Sequence, residues 1–506
     1  MRKTTKYILG LCTALGMLAG CDNGFDELNT NKNLATAINP LFSLNTAIVN
    51  TAPPGTTLPY ELAIVQQIVS PNSGVIAGGN FNEDNRPVTR GLWENYYRNV
   101  LKNTADVIAK TRDNPARSNL YNMARIIHAN AGMILTDTYG DIPFTEAGQG
   151  FLNNVVTPSY DAQQDIYETI LTELDQASAG LDAAKALETQ DALYGGDITK
   201  WRRLGYSLLL RAAMRLTKAD AAKAQSYAAK AAAAGVMQSN ADNAFIRHTA
   251  AFMNAVGNTL NSTEANNYYL TETFVKYLKA AKDPRLASIA VRYVGAKNGA
   301  EQVAARINRD TTVQIGMPMG YDNASIASVV TAKGLASFYD FSQLDRNRMG
   351  RNDAPNFLVT YAQTQLLLAE AVVRGWVTGD AAALYTNGIK AHMEQLSAYA
   401  DAAVPATSID AYLAANPFDP AKALEQINTQ YWVASFLNGP EAFANFRRSG
   451  FPNLPPNPLR NDIDSEDFIR RLTYPDAELS VNSGNYQEAV SRQGLDRLDT
   501  RVWWDK

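Results

Sequence analysis

Apolar side chains recur at the helical period over long stretches of this chain, and that spacing limits its fold more than any other feature. In "GLWENYYRNVLKNTADVIAK", Trp93, Tyr97, Val100, Leu101, Ala105 and Ile108 fall on one stripe. After the breaker Asn114-Pro115, a second stripe runs through Leu120, Met123, Ile127, Ala131, Ile134, Leu135 and Thr138. Gly140 and Pro143 end it, because glycine accepts the positive φ of a C-terminal cap and proline cannot continue the ladder. Two such helices joined by a short turn form an antiparallel hairpin. The pattern returns in Asp165–Leu181, in Asp197–Lys218 with Trp201, Leu204, Leu208, Ala212 and Leu216 in register, and in an alanine-rich run from Asp220 that ends at Gly235. It returns again in Phe357–Trp376 and Asp380–Leu396, where Ala369, Ala371 and Gly388 sit among bulky neighbours as in tetratricopeptide packing.

Between these hairpins lie Thr51–Arg90, Asn240–Asn267, Val294–Ala354 and Leu454–Trp504, rich in Gly, Asn, Pro and aromatic residues. They read as long irregular loops, which in compact domains carry function. The expected fold is therefore mainly α: a tetratricopeptide-like scaffold of helix pairs near 90–140, 160–235 and 355–397, with a large irregular half, all in one domain over 51–506.

The N-terminus indicates export. Arg2, Lys3 and Lys6 precede the apolar stretch "YILGLCTALGMLAG", which is too short for a stable span and reads as a signal peptide over 1–20. "LAGC" resembles a lipobox, which makes Cys21 the expected site of lipidation. The polar residues after it, within 21–50, read as a tether. Cys12 leaves with the signal, so the remaining chain can form no internal disulfide and must rely on burial. Removing the three positive side chains takes the formal charge from −4 to −7, and an acidic chain without basic runs argues against nucleic acid as a partner.

One stretch raises catalysis. "LTDTYGDIPFTEA" places Asp137, Asp141 and Glu146 within ten positions. A glycosidase needs two carboxylates about 5 to 10 Å apart, one with a raised pKa. Asp141 directly after a capping glycine is more economically a turn residue bonding local backbone N–H groups. The structural reading is preferred, and a helical glycoside hydrolase remains the alternative of another class. His128 and His392 lie in expected helices without a zinc pattern, and His248 is the remaining histidine. No Gly-x-Ser-x-Gly elbow, phosphate loop or EF-hand spacing occurs, so no cofactor or metal is expected. The arginine pairs in "FRRSG" and "IRRLTYP" suit either a clamp on an anionic ligand or salt links between the two halves.

That leaves loop amides and rings. Aromatic faces stack on the C–H patches of sugars, and amides, carboxylates or guanidinium groups pair with the hydroxyls. "SGVIAGGNFNEDNRPVTRGLW" offers Asn80, Phe81, Asn82, Asn85 and Arg90, with Gly78 and Gly79 read as permitting a sharp backbone course. "GMPMGYDNAS" offers Tyr321, Asp322 and Asn323, followed by "FYDF".

The order of "LWENYYRNVLKN", "LTDTYGDIPFTEA", "GGDITKWRRLGYSLLLRAAMRL", "AKDPRLA", "LLLAEAVVRGW", "QYWVASFLNGPEAFANFRRSGFPNL", "RRLTYPDAELSVNSGNY" and "RVWWDK" resembles the SusD/RagB outer-membrane lipoproteins of Bacteroidota. The resemblance implies four tetratricopeptide-like helix pairs and lipid anchoring at the outer membrane, exposed at the cell surface. It further implies partnership with a SusC-like TonB-dependent transporter, and capture of an oligosaccharide, or in some relatives a peptide, by a non-enzymatic binder. For the paired arginines the resemblance favours the salt links.

Overall fold

The computed structural model describes residues 38–71, 77–262 and 268–506. The expected signal peptide, Cys21 and the tether up to position 37 lie outside them. Among the described residues helices hold 55% and strands 5%, which excludes a sheet-dominated architecture.

In chain order the principal helices are α1 (Pro40–Val49), α2 (Thr57–Ile64), α3 (Ala77–Phe81), α4 (Arg86–Asn95), α5 (Lys102–Thr111), α6 (Ser118–Tyr139), α7 (Gln163–Ala179), α8 (Ile198–Arg215), α9 (Ala221–Ala234), α10 (Ala255–Ser262), α11 (Glu272–Ala280), α12 (Arg285–Ile289), α13 (Ile326–Ala332), α14 (Tyr361–Val373), α15 (Ala381–Gln395), α16 (Ala406–Ala415), α17 (Ala423–Ala434), α18 (Gly439–Ser449), α19 (Asp476–Val481) and α20 (Ser483–Gln493). A π-turn at Tyr96–Leu101 joins α4 to α5. The expected hairpins are present: α5 packs on α6, α7 on both α6 and α8, α8 on α9, and α14 on α15. A further pair, α17 and α18, extends the scaffold.

Local chemistry sets the ends. Gly140, at φ 86°, closes α6 by donating its N–H to Thr136 O at 2.8 Å. A Cβ there would also collide with the Gln493 side chain, so the cap doubles as a close approach of α20. Thr360 and Gln363 form a reciprocal capping box at the start of α14.

Several expectations need correction. The segment expected to be tether already forms α1 at Pro40, because Leu41, Leu44, Ala47 and Ile48 are buried on one stripe, packed against α5. The stretch Thr51–Arg90 is not irregular throughout: it contains α2, whose residues are all buried. Likewise α10, α13, α19 and α20 occupy stretches read as loops. Short strands lie in or beside those stretches: β1 (Ile68–Val69), β2 (Ala244–Ile246), β5 (Ile307–Asn308) and β6 (Gln343–Leu344) within them, and β3 (Tyr269–Leu270), β4 (Ala290–Tyr293) and β7 (Asn356–Val359) next to them. One sheet runs β1-β3-β6-β4-β5, and β2 pairs with β7, antiparallel throughout.

Glu61 on α2 is fully buried against α18, and neither carboxylate oxygen has a hydrogen-bond partner. Burial pushes its pKa well above the ordinary carboxylate range, with Arg447 opposing. The folded state therefore keeps a proton that the unfolded chain releases. Stability falls as pH rises from the ordinary range toward the folded pKa. Glu61→Gln should match the parent near pH 4 and exceed it at pH 7.5 by about 1–3 kcal/mol. Urea midpoints at the two pH values measure this, and an advantage that does not grow with pH would refute it.

Candidate functional site

The two loops singled out by their amides and rings meet at one residue. Asn80, at the end of α3, is fully buried. Its Nδ2 donates to Ser70 O at 3.0 Å and Tyr321 O at 3.1 Å, and its Oδ1 accepts from Gly320 N at 2.8 Å. All the near groups are backbone, so the carboxamide works as a rivet between segments. A third segment joins it: Asn457 Nδ2 donates to Asn80 O at 2.6 Å. Asn82, at φ 53°, gives its Nδ2 to Leu459 O at 2.8 Å, while its carbonyl accepts from Asp462 N at 2.9 Å. Asp462 also accepts from Asp84 N at 2.8 Å. Residues 457–462 thus belong to the same junction, and sequence reasoning missed them. Their only sequence signal was the turn composition of "PPNPLRND".

Asn80 and Asn82 therefore hold this junction together: the Asn80 carboxamide is spent on backbone groups and Asn82 gives an amide N–H to Leu459 O. Gly78 and Gly79 also act differently from expectation. They are helical, and a Cβ on Gly78 would lie 2.2 Å from the Tyr60 ring, while one on Gly79 would lie 2.6 Å from Tyr60 O. They let α3 approach α2 closely rather than allow a sharp backbone course. The residues Ser73 to Ile76 at the start of that loop lie outside the described residues.

Asp322 is exposed, but its Oδ1 accepts from Ser325 N at 2.7 Å, Ser325 Oγ at 2.6 Å and Ala324 N at 3.1 Å, forming the turn that leads into α13. The Ser325 hydroxyl and backbone N–H hold its carboxyl below the usual range. Arg90 is exposed and lies 3.8 Å from Glu94 along α4, outside the Asn80 junction. Phe81, Asn85, Tyr321 and Asn323 remain for an outside molecule. Phe81, Asn85 and Tyr321 are half-buried and Asn323 is exposed. Asn85 makes no cap bond to α4. Tyr321 leans on a cluster of Ala63, Val69, Tyr269, Met317 and Met319, which Phe338 also joins. Phe338 stacks on Tyr339 with centroids 4.2 Å apart, and both are half-buried. The face thus combines seated rings with unspent amides, suited to non-covalent contact with ring-shaped polyols.

The acidic stretch proves to be internal. Asp137 is 3% exposed; it accepts from Arg215 Nε at 3.0 Å, Trp504 Nε1 at 2.9 Å and the Tyr167 hydroxyl. Burial raises its pKa, with Arg215, Tyr167 and Arg447 pulling it down. Asp141 does not bond local backbone as expected. It accepts from Gln163 N at 2.8 Å and Arg492 Nε at 2.6 Å, both distant in sequence. Glu146 accepts from Ser159 N at 2.7 Å. Asp137 and Asp141 are buried and Glu146 is half-buried, and all three carboxylates are spent on tying elements together.

The histidines and arginines are also structural. His128 lies 2.8 Å from Thr104 Oγ1, and burial lowers its pKa to about 4. His392 packs 2.9 Å from Arg285 Nη1. Arg447 donates to Arg470 O and Asp137 O, both at 2.7 Å, and Arg471 pairs with Asp496 at 2.8 Å. Among the described residues no group of His, Cys, Asp and Glu could hold a metal ion, and no helix is long and apolar enough to cross a membrane.

Comparison with known proteins fits this arrangement. A SusD-like family profile, described as starch-binding and associating with the outer membrane, matches residues 31–475. The fold is similar to a chitin-binding protein at 32% identity and a TM-score of 0.81, covering 92% of this chain and 100% of that one. It is also similar to a SusD-like protein of Bacteroidetes AC2a at 28% identity and a TM-score of 0.79, covering 93% and 100%. A chitin-binding SusD homolog from Flavobacterium johnsoniae aligns at 25% identity and a TM-score of 0.73, covering 92% and 97%. No protein of curated function matches the chain. Spanning nearly its whole length, these likenesses show that the chain belongs to the SusD-like family, a family of carbohydrate binders rather than enzymes.

Proposed function

We propose that the chain is a lipid-anchored, surface-exposed binder that captures an oligosaccharide and passes it to a SusC-like TonB-dependent transporter. The observation that supports the binding half is that Asn80 ties the segment carrying Phe81 to the segment carrying Tyr321, which packs with Phe338 on one apolar cluster, in a family described as starch-binding. Cys21 would bear the lipid, and the transporter partnership rests on family membership alone. Chitin oligosaccharides are the first ligands to test, because two similar structures bind chitin and the N-acetyl groups would find amide partners in Asn85 and Asn323. Maltooligosaccharides form the second arm and peptides the third.

Loss of one stacked ring removes about 1–2 kcal/mol of contact. Phe81→Ala and Tyr321→Ala should therefore each weaken glycan binding about tenfold, with the melting temperature nearly unchanged because both rings are only half-buried. Calorimetric titration measures this. Unchanged affinity in both variants would remove these loops as the site, and peptide binding without glycan binding would overturn the glycan reading.

A further inference from the structure

A sizeable concavity lies away from the Asn80 junction. It is a groove of about 850 Å³ between α11 and α12 on one side and α16 with the preceding residues 401–405 on the other. That volume suits a ligand of two or three sugar rings or an equivalent acyl chain. Leu278, Pro284 and Ala287 form one wall; Val404, Ala411 and Tyr412 form the other.

The charges along the groove are unbalanced. Lys279, Lys282 and Arg348 line it, against Asp283 and Asp401. Asp283 is unavailable, since both its oxygens are bonded to the fully buried Arg285. Lys279 donates to the carbonyl oxygens of Thr312 at 2.8 Å and Gln314 at 3.0 Å and forms no ion pair among the described residues, though Asp310 feels its charge. Arg348 donates from Nη1 to Ala287 O at 2.7 Å, but its buried Nε has no hydrogen-bond partner. The nearest carboxylate, Asp345, stands 3.7 Å from that Nε and is already taken by Arg309 Nε at 2.5 Å. Two guanidinium groups thus share one carboxylate. Burial and the Arg309 charge hold the Arg348 pKa below its ordinary value, as expected of a cation short of partners. Arg348 is half-buried, and an under-neutralised guanidinium in such a place favours an anionic partner.

We propose that this groove is a second binding site, for a ligand that carries a carboxylate on a body with an apolar face, the carboxylate meeting Arg348 and Lys282 and the body lying along Ala287, Val404 and Tyr412. The hydroxyls of Ser288, Thr311, Thr312 and Ser408 on the same walls suit an acidic sugar, and the alanines and prolines suit an acyl chain. Both sources share this chemistry. The proposal does not depend on the glycan reading of the Asn80 face.

Calorimetric titration of the purified chain with digalacturonate and with decanoate, each against its uncharged counterpart galactobiose or decanamide, tests it. At least one carboxylate should bind saturably at one per chain, and at least tenfold more tightly than its neutral counterpart. Arg348→Met should weaken that binding tenfold or more. Ala411→Trp, at an exposed position that fills the groove without touching a charge, should do the same while leaving the melting temperature in place. Which acid binds identifies the source. Absence of saturable binding of either acid at millimolar concentration, equal affinity for acid and neutral counterpart, or parental affinity in Ala411→Trp would each overturn the proposal.

Discussion

Replacing Arg448 with alanine is expected to lower the unfolding free energy by about 3–5 kcal/mol, as for other buried ion pairs that lose one partner. Glu370 on α14 and Arg448 on α18 are both essentially without solvent contact. The guanidinium gives Nη1 to Glu370 Oε1 and Nη2 to Oε2, each at 2.7 Å, and also bonds the Asn445 and Asn428 side-chain oxygens. Its loss leaves the Glu370 carboxylate with only Asn428 Nδ2 at 3.0 Å and the half-buried Arg374 at 2.8 Å. The penalty is the uncompensated charge, not the value of the pair. Consequently Glu370→Leu combined with Arg448→Met should recover most of the loss, and a double mutant as unstable as Arg448→Ala would contradict that account.

The same pair makes a pH prediction. Burial pushes the Glu370 carboxyl up, but Arg448 and Arg374 more than reverse this and hold it at about 2. A carboxyl lowered on folding stabilises the fold above its ordinary range, and that contribution disappears as pH falls toward about 2. The parent should lose stability on acidification through this window. Arg448→Ala, already without most of the contribution, should show a shallower loss. Urea unfolding followed by circular dichroism at pH 7.5 and pH 3 reads both effects.

Particular residues show what sequence can and cannot reveal here. Helices α5, α7 and α15 were legible because each buries one stripe and leaves another in water, which imprints the helical period, whereas their partners α6, α8 and α14 are buried almost all round and were legible from their length and end signals. Helix α2 was not, because every residue from Thr57 to Ile64 is buried and no polar face marks its phase. The strands of the five-stranded sheet run two to four residues, too short for an alternation to register. At the candidate site the two loops that meet were visible from composition, yet Asn80 and Asn82 were assigned outward roles when the fold spends them on carbonyls of residues hundreds of positions away. Residue type announces hydrogen-bonding capacity; only tertiary geometry says where it is spent. Asp141 repeats the point, since its partners are Gln163 and Arg492 instead of the adjoining turn.

Asp137→Ala should be comparably damaging, at about 3–5 kcal/mol, and should separate the structural from the catalytic reading of that carboxylate. Removing it strips three donors at once. Arg215 is left with Glu441 at 2.8 Å as its remaining hydrogen-bonded anion, while the buried Tyr167 hydroxyl and Trp504 indole N–H lose their acceptor. Each unsatisfied buried donor costs about 1–3 kcal/mol. Because Trp504 sits in the C-terminal segment and Asp137 at the end of α6, the defect should also loosen that segment. Faster proteolytic trimming of the C-terminus and a shifted tryptophan emission are expected together with the lower melting temperature. If the alanine variant fails to fold, Asp137→Asn keeps the shape and one acceptor, and should show the same changes at smaller amplitude. A catalytic carboxylate predicts the opposite pattern, with the melting temperature near parental and reducing-sugar release from chitin or maltooligosaccharides present in the parent and abolished in Asp137→Asn. The burial of Asp137 beneath Trp504 leaves a sugar no approach to it, so the stability defect is the outcome the fold requires.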